Sequence, residues 1–345
     1  MKIVHYSFCN GSGLANLAAS LAAAERELGL DSVLVNTSIE SEFELALDAD
    51  VHVGHTVLPQ MFQGKAFKKQ LTKPFRMVSV GHGTIEHIVE GSIQASEGGR
   101  YAPGDSLMIM LHDLKTANAR VTFWPRHKWI LDKFMATGTE MKLVPLGVDR
   151  KFWAEGESRG KYQGDPSLLS IENSHTIKWP LGLFLMWPYV ADAVDGAYLH
   201  VCYLPHDQAR AWYPLVDANG AHFKAHIGPW TFPHDELRRV FKSFDFMWSG
   251  VRFGDFNLAC LEAAAAGLKV ISHRGNPYSH YWVEEGDTRT QCEQLIEVLS
   301  GNVEERADRE EVPDISETAR VMGEIYAEIV PEQWAGKKVE IKAVA

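Results

Sequence analysis

Cysteine is scarce in this chain. Cys9, Cys202, Cys260 and Cys292 are the only four in 345 residues, far apart and without a C-x-x-C pair. That excludes a disulfide framework and a cysteine-based structural zinc site, and it suits a reducing, cytoplasmic compartment. Long apolar runs are also missing: the most apolar stretch, LGLFLMWPYVADAV, carries Pro188 and falls short of the roughly 18–20 residues of a membrane span. The apolar run after Met1-Lys2 is broken by His5 and Ser7, which suits a first strand and not a signal peptide. No internal repeat or low-complexity tract is present. Basic residues are in deficit, 34 against 45 acidic for a net charge of −11, so the surface is not the all-round cation of many nucleic-acid-binding proteins. The deficit is uneven, with 15 basic and 16 acidic residues in 1–150 but 19 and 29 in 151–345.

A length of 345 residues suits about two domains. Strand-like and helix-like runs alternate throughout. KIVHYSF, SVLVN, DVHVGH, FRMVSVGHG, ARVTFW and MKLVPLGV read as short buried strands, with helical segments LANLAASLAAAEREL, SEFELAL and RHKWILDKFM among them. After the polar stretch AEGESRGKYQGDPS, read as the link between domains, a second series runs SLLSIEN, AYLHVCYLP, FKAHIG, DFMWSG and KVISHRG, with helices DELRRVFKSF and NLACLEAAAAG. This predicts an α/β protein of two tandem doubly wound parallel sheets, whose ligands bind outside the carboxyl ends of the strands. A last helix, ISETARVMGEIYAEIV, can pack on either domain.

The loops at those strand ends carry the candidate chemistry. Asn10-Gly11-Ser12-Gly13 opens a helix directly after the first strand, where free N–H groups favour an anion; the third glycine of a dinucleotide fingerprint is missing, so a plain tight turn fits equally well. His82 stands between Gly81 and Gly83 at a strand end, suited to bonding a sugar or moving a proton, whereas His52, His55 and His87 read as structural or surface histidines. Lys178, after SLLSIEN, suits a diphosphate as a flexible point charge. In GVRFGDFNLACLEAAAAGLKVIS, a loop feeds a helix that carries Glu262 and stops at Gly267. Loop amides there would hold phosphate, and Glu262 would accept hydrogen bonds from ribose or sugar hydroxyls. Residues 51–80 hold no acidic side chain, while Lys65, Lys68, Lys69, Lys73 and Arg76 cluster within 65–76; a solvated face or a contact for an anionic acceptor both fit. Trp124, Trp179 and Trp230 read as core or domain-interface aromatics.

The segment Gly254-Asp255-Phe256-Asn257-Leu258-Ala259-Cys260-Leu261-Glu262-Ala263-Ala264-Ala265-Ala266-Gly267-Leu268-Lys269-Val270-Ile271 resembles the E-G-F-G-L-x-x-L-E-A-M-A-x-G-x-P-V-I of the retaining glycosyltransferases of family 4. IGPWTFPHDELRRVFKSFDFMWSG and VPLGVDRKFW are similar to two further motifs of that family, in the same order. The resemblance implies the GT-B fold, two Rossmann-like domains with parallel sheets facing across a cleft. Residues 1–150 would bind the acceptor and 151–312 the nucleotide sugar, and 313–345 would form a C-terminal helix and tail crossing back to the first domain. Carried over by position, Glu262 would bind the ribose, Lys178 the diphosphate, Gly11, Ser12 and Gly13 would approach the donor phosphates, and His82 would stand at the transferred sugar. Residues 254–258 would complete the donor site. Two positions depart from the pattern: Gly254 replaces a glutamate, and Asn173 replaces an arginine five positions before the lysine.

The expected activity is metal-independent glycosyl transfer from a nucleoside diphosphate sugar, UDP- or GDP-linked, to an acceptor hydroxyl, with retention and with no tightly bound cofactor. His82 and Lys178 are the expected catalytic pair. The acceptor would be a glycan, a lipid, a small molecule or DNA, with residues 65–76 as a peripheral anionic contact. Two alternatives are the same chemistry on a hydroxymethylated DNA base, which requires the base to be exposed, and a non-catalytic sugar-nucleotide-binding partner subunit.

Overall fold

A computed structural model describes residues 1–7, 13–37, 39–55, 68–82, 115–135, 140–171, 180–203, 210, 214, 223–228, 230–250, 258–284 and 287–331. The chain divides into two compact units, Met1–Asp149 with Pro313–Ala345, and Arg150–Val312.

In the first unit, β1 (Lys2–Ser7), β2 (Asp31–Asn36), β3 (Val51–His55), β4 (Met77–Gly81), β5 (Ala119–Thr122) and β6 (Lys142–Leu143) form one parallel sheet in the order β2-β1-β3-β4-β5-β6. β3, β4 and β5 are buried along their whole length, as strands covered on both faces must be. The Ala-rich helix α1 (Gly13–Glu27) makes the first crossover. SEFELAL, expected as a helix, forms a 3₁₀ helix over Glu40–Ala46. α2 (Pro125–Met135) connects β5 to β6. Val4, Tyr6, Val35, Ala46, Ala49 and Met77 pack together on one face of the sheet.

The C-terminal helix Ile315–Ile329 belongs to this unit and packs on α1. Its start is fastened to the segment after β6: the N–H of Gly147 donates to Thr318 Oγ1 (2.9 Å), the Thr318 hydroxyl donates to the Pro145 carbonyl (2.8 Å), and the Val148 and Ile315 N–H groups donate to the carbonyls of Pro313 and Val148. Asp314 caps the helix by accepting from the Ser316 N–H. Gly147 is required by proximity, since a Cβ there would lie 2.3 Å from the Asp314 carbonyl oxygen.

The second unit starts with α3 (Arg150–Ala154). β7 (Ser167–Ile171), β8 (Tyr198–Cys202), β9 (Ala225–Ile227), β10 (Phe246–Ser249), β11 (Lys269–His273) and β12 (Tyr281–Val283) form a parallel sheet in the order β12-β11-β10-β7-β8-β9. α4 (Pro180–Ala193) follows β7, α5 (His234–Phe241) precedes β10, α6 (Leu258–Ala265) follows β10, and α7 (Thr288–Leu299) follows β12. α4 carries Pro188 within it and buries Leu183, Phe184, Trp187 and Val190 in the core with Leu199, Val201, Trp248 and Ile271. α6 stops at Gly267, whose φ of +88° lets its own N–H reach the Ala264 carbonyl and the Leu268 N–H reach that of Ala263.

The polar stretch 154–167, expected as the link, lies instead inside the second unit. Its backbone is held by side chains from the turn after α5: Lys242 Nζ donates to the carbonyls of Glu155 and Gly156 (both 2.9 Å), and Ser243 Oγ accepts from the Arg159 N–H (2.8 Å). Tyr162 stacks on Phe244 with ring centroids 4.5 Å apart. Among the described cysteines, Cys202, Cys260 and Cys292 are buried and in no disulfide. No helix among the described residues is long and apolar enough to cross a membrane.

Because the obstacle at Gly147 is backbone, it cannot rotate away. Gly147→Ala should therefore destabilise the first unit by about 1–3 kcal/mol, seen as a lower denaturation midpoint; an unchanged midpoint would show that the Asp314 contact is slack.

Candidate functional site

Strand order reverses once in each sheet. In the first, β2 lies on one side of β1 and β3 on the other; in the second, β8 and β10 flank β7. The crevice beyond the carboxyl ends of the strands at such a reversal is where open parallel sheets bind ligands. Gly13 opens α1 after β1 and is exposed. Lys178 and Asn173 fall in 172–179, between β7 and α4, and Gly254 to Asn257 fall between β10 and α6. Gly11, Ser12, Lys65, Asn173, Lys178, Gly254, Asp255, Phe256 and Asn257 lie outside the described residues, as do Cys9, His87 and Trp179.

Glu262 sits in α6 and is 8% exposed, with Leu258 half-buried at the start of the same helix. Its carboxylate Oε1 lies 3.6 Å from Nε2 of His234, the first residue of α5. The His234 ring is stacked on Phe152 (centroids 5.3 Å apart, 8° between planes) and meets Trp153 edge-on, so two aromatics from α3 hold it there. Tyr203, directly after β8, has a left-handed backbone (φ 66°). Its hydroxyl accepts from the Phe232 N–H and donates to the Phe232 carbonyl, each at 3.0 Å, which pins the approach to α5. Burial raises the Tyr203 pKa, and the Glu262 charge adds to the rise, so Tyr203 stays a neutral donor beside an acidic group. His234 and Tyr203 carry no motif, and the sequence reading missed them.

In the first unit the structure places His82 at the carboxyl end of β4, joined to His55, which reads as merely structural, and through it to His5. His82 Nε2 lies 2.6 Å from His55 Nδ1, and His55 Nε2 lies 2.9 Å from His5 Nδ1. His5 Nε2 lies 2.8 Å from a carboxylate oxygen of Glu25, which is completely buried in α1. Ser32 and Tyr326 hydroxyls donate to the same carboxylate at 2.6 and 2.8 Å. Burial lowers the His82 pKa to about 3, with the charge of His127 adding to the effect, and drives His55 well below its ordinary value. The sequence signal for this row is a histidine at period-two positions near the ends of β1, β3 and β4, which only the sheet register can align: His5 pairs with Val53, two residues before His55, and His55 pairs with Val80, two before His82.

Of the basic cluster, Lys68 and Lys69 are exposed, with Lys68 Nζ 4.8 Å over the Phe75 ring. Lys73 is committed to buried Asp50 at 2.7 Å, and the half-buried Arg76 gives its carbonyl to the His52 N–H. Trp124 is buried beside His82, and Trp230 stacks on His226 at 3.9 Å. Among the described residues no group of three or more His, Cys, Asp or Glu side chains is arranged to hold a metal ion.

No known family profile and no curated protein sequence matches the chain. Among solved structures it is similar to sucrose-phosphate synthase from Thermosynechococcus elongatus, at 13% identity and TM-score 0.64 over 96% of this chain and 100% of that one. It is also similar to the lipopolysaccharide outer core galactosyltransferase WaaB (13%, TM-score 0.61, 95% of this chain and 100% of that one). HepE from Anabaena, solved with UDP and glucose, aligns at 11% identity with TM-score 0.61 over 97% of this chain and 98% of that one. Likeness at these identities is likeness of fold, and the chain has the GT-B fold of two Rossmann-like domains.

The buried imidazoles set an acid limit on stability. Burial also lowers His52 and His280 to about 4. Below pH ~6.5 the unfolded chain protonates these histidines while the folded chain does not, so stability is full above that pH and is lost as pH falls. Each such histidine removes up to about 1.4 kcal/mol per pH unit. Urea midpoints should drop steeply from pH 7 to pH 5, above the carboxylate range; equal midpoints would mean that the imidazoles titrate normally in the fold.

Proposed function

We propose that the chain transfers a sugar from a nucleoside diphosphate sugar to an acceptor hydroxyl, with retention and without a metal ion. The observation that carries this reading is Glu262, nearly buried in the helix after β10, at the strand reversal of the second sheet of a GT-B fold. An acid in that place accepts hydrogen bonds from two vicinal ribose hydroxyls. Lys178, between the neighbouring strand β7 and α4 in sequence, would meet the diphosphate and offset the negative charge that grows as the glycosidic bond breaks. With Asn173 in place of an arginine, that charge rests on Lys178 and on loop and helix amides. HepE, which shares the fold, was solved with UDP-glucose, and this favours a uridine donor.

The first unit would bind the acceptor and bring His82 to the transferred sugar. Its exposed Lys68 and Lys69 are available to an anionic acceptor, while Lys73 is held by Asp50.

Titration with UDP- and GDP-sugars, followed by diphosphate release with glycan, lipid and hydroxymethylated-DNA acceptors, tests the reading. Glu262→Ala should weaken donor binding roughly 10–100-fold, the cost of losing hydrogen bonds to a charged acceptor. Lys178→Ala should lower kcat roughly 10²–10³-fold. Full turnover in both variants would overturn the assignment, and donor binding without any release would make the chain a binding subunit.

A further inference from the structure

A continuous row of side chains crosses the interior of the first unit: Tyr326, Glu25, His5, His55 and His82, with polar atoms 2.8, 2.8, 2.9 and 2.6 Å apart in turn. Its two ends differ. At one, the Ser32 and Tyr326 hydroxyls donate one to each carboxylate oxygen of Glu25. At the other, His82 Nδ1 is buried and has no hydrogen-bond partner among the described residues.

A neutral imidazole has one N–H and one lone pair, so each ring in such a row dictates the orientation of the next. A carboxylate only accepts, so with Glu25 in that form His5 donates to it through Nε2–H. The His5 Nδ1 lone pair then accepts from His55 Nε2–H, and the His55 Nδ1 lone pair accepts from His82 Nε2–H. His82 is left with a bare Nδ1.

We propose that Glu25, His5 and His55 are positioning residues that fix His82 as its Nε2–H tautomer, so that Nδ1 receives a proton from a bound ligand and the row carries that proton inward. The step balances. As a proton arrives at His82 Nδ1, the Nε2 proton of His82 passes to His55 Nδ1, that of His55 to His5 Nδ1, and that of His5 to the Glu25 carboxylate. Every imidazole ends neutral with its tautomer exchanged, and one buried carboxylate becomes a carboxylic acid.

Among the described residues, the titratable groups facing this row are few. Glu25 meets His5 from β1 and Tyr326 from the C-terminal helix, His55 lies between His5 and His82, and His127 from α2 faces His82. Among the described residues, the remaining ring contacts of His82 are Phe123 and Trp124. Burial disfavours a cation on His55 or His82, which suits transfer through neutral rings. The tautomers follow from this geometry alone; the row's use in sugar transfer, with His82 receiving a sugar hydroxyl's proton, rests on the function proposed above.

Ring-¹⁵N-histidine spectra of the full chain at pH 7.5 test it directly. The expected result is a single His82 tautomer with Nδ1 unprotonated. In Glu25→Gln and in His55→Gln, which leaves the carboxylate end intact should Glu25→Gln fail to fold, the His82 Nδ1 resonance should shift towards the protonated position as both tautomers become populated. Transfer by these variants should show kcat lowered roughly 10–100-fold with KM unchanged. A wild-type His82 protonated at Nδ1, or a folded His55→Gln protein with the His82 tautomer unchanged, overturns the proposal. The spectra need no turnover, so the expected tautomers in a protein that transfers no sugar would leave the relay standing and remove only the glycosyltransferase reading.

Discussion

Glu25 is the constraint around which the first unit is assembled. A carboxylate with no solvent exposure is tolerated only when its lone pairs are filled, and removing one partner from such a group costs about 3–5 kcal/mol. Here the donors come from three directions, His5 in β1, Ser32 at the start of β2 and Tyr326 in the C-terminal helix. Satisfying one side chain therefore fixes the twist of the β1–α1–β2 crossover and draws in a helix some three hundred residues away in sequence. Gly147 and Thr318 fasten the other end of that helix. Two buried polar contacts at opposite ends define its direction better than its apolar face alone, because hydrogen bonds are directional and hydrophobic burial is not.

The same order of assembly places the chemistry. In each unit the first strand lies inside its sheet and the chain fills one side before crossing to the other. Parallel strands direct all their carboxyl ends to one edge, so the side chains leaving β1, β3 and β4, and those following β8, β9 and β10, gather on the loop side of their own sheet. Glu262, His234 and Tyr203 come from three different connections and share a neighbourhood for this reason.

Much of this was legible in the sequence, and the failures have physical causes. Strand runs such as MVSV and SVLV stand out because strands buried on both faces are rich in Val, Ile and Leu. Gly29 and Gly267 stop their helices with positive φ, as their positions after Ala-rich runs suggest. β12 is three residues long, too short for a period to show, and α4 is apolar nearly all round and interrupted by Pro188, so it offers no 3.6-residue stripe. SEFELAL has helix-forming residues, but the short connection into β3 tightens it to 3₁₀. Glu262 was visible through its motif. The partners of His82 were not, since which histidines share a face depends on register, and a slip of one residue in β3 would exchange His55 for Gly54 on that face.

Burial of these histidines couples stability to chemistry. Protonated imidazoles in contact would repel one another in a medium that screens poorly, so His55 and His82 lie side by side as neutral rings. Burial secures that neutrality for His55 and His82, and the same burial penalises the fold in acid. Neutral rings in turn have a direction, because each holds one proton for two nitrogens. A single carboxylate at one end is enough to set that direction for all three, with the acid under Tyr326 and the bare nitrogen at the carboxyl end of β4.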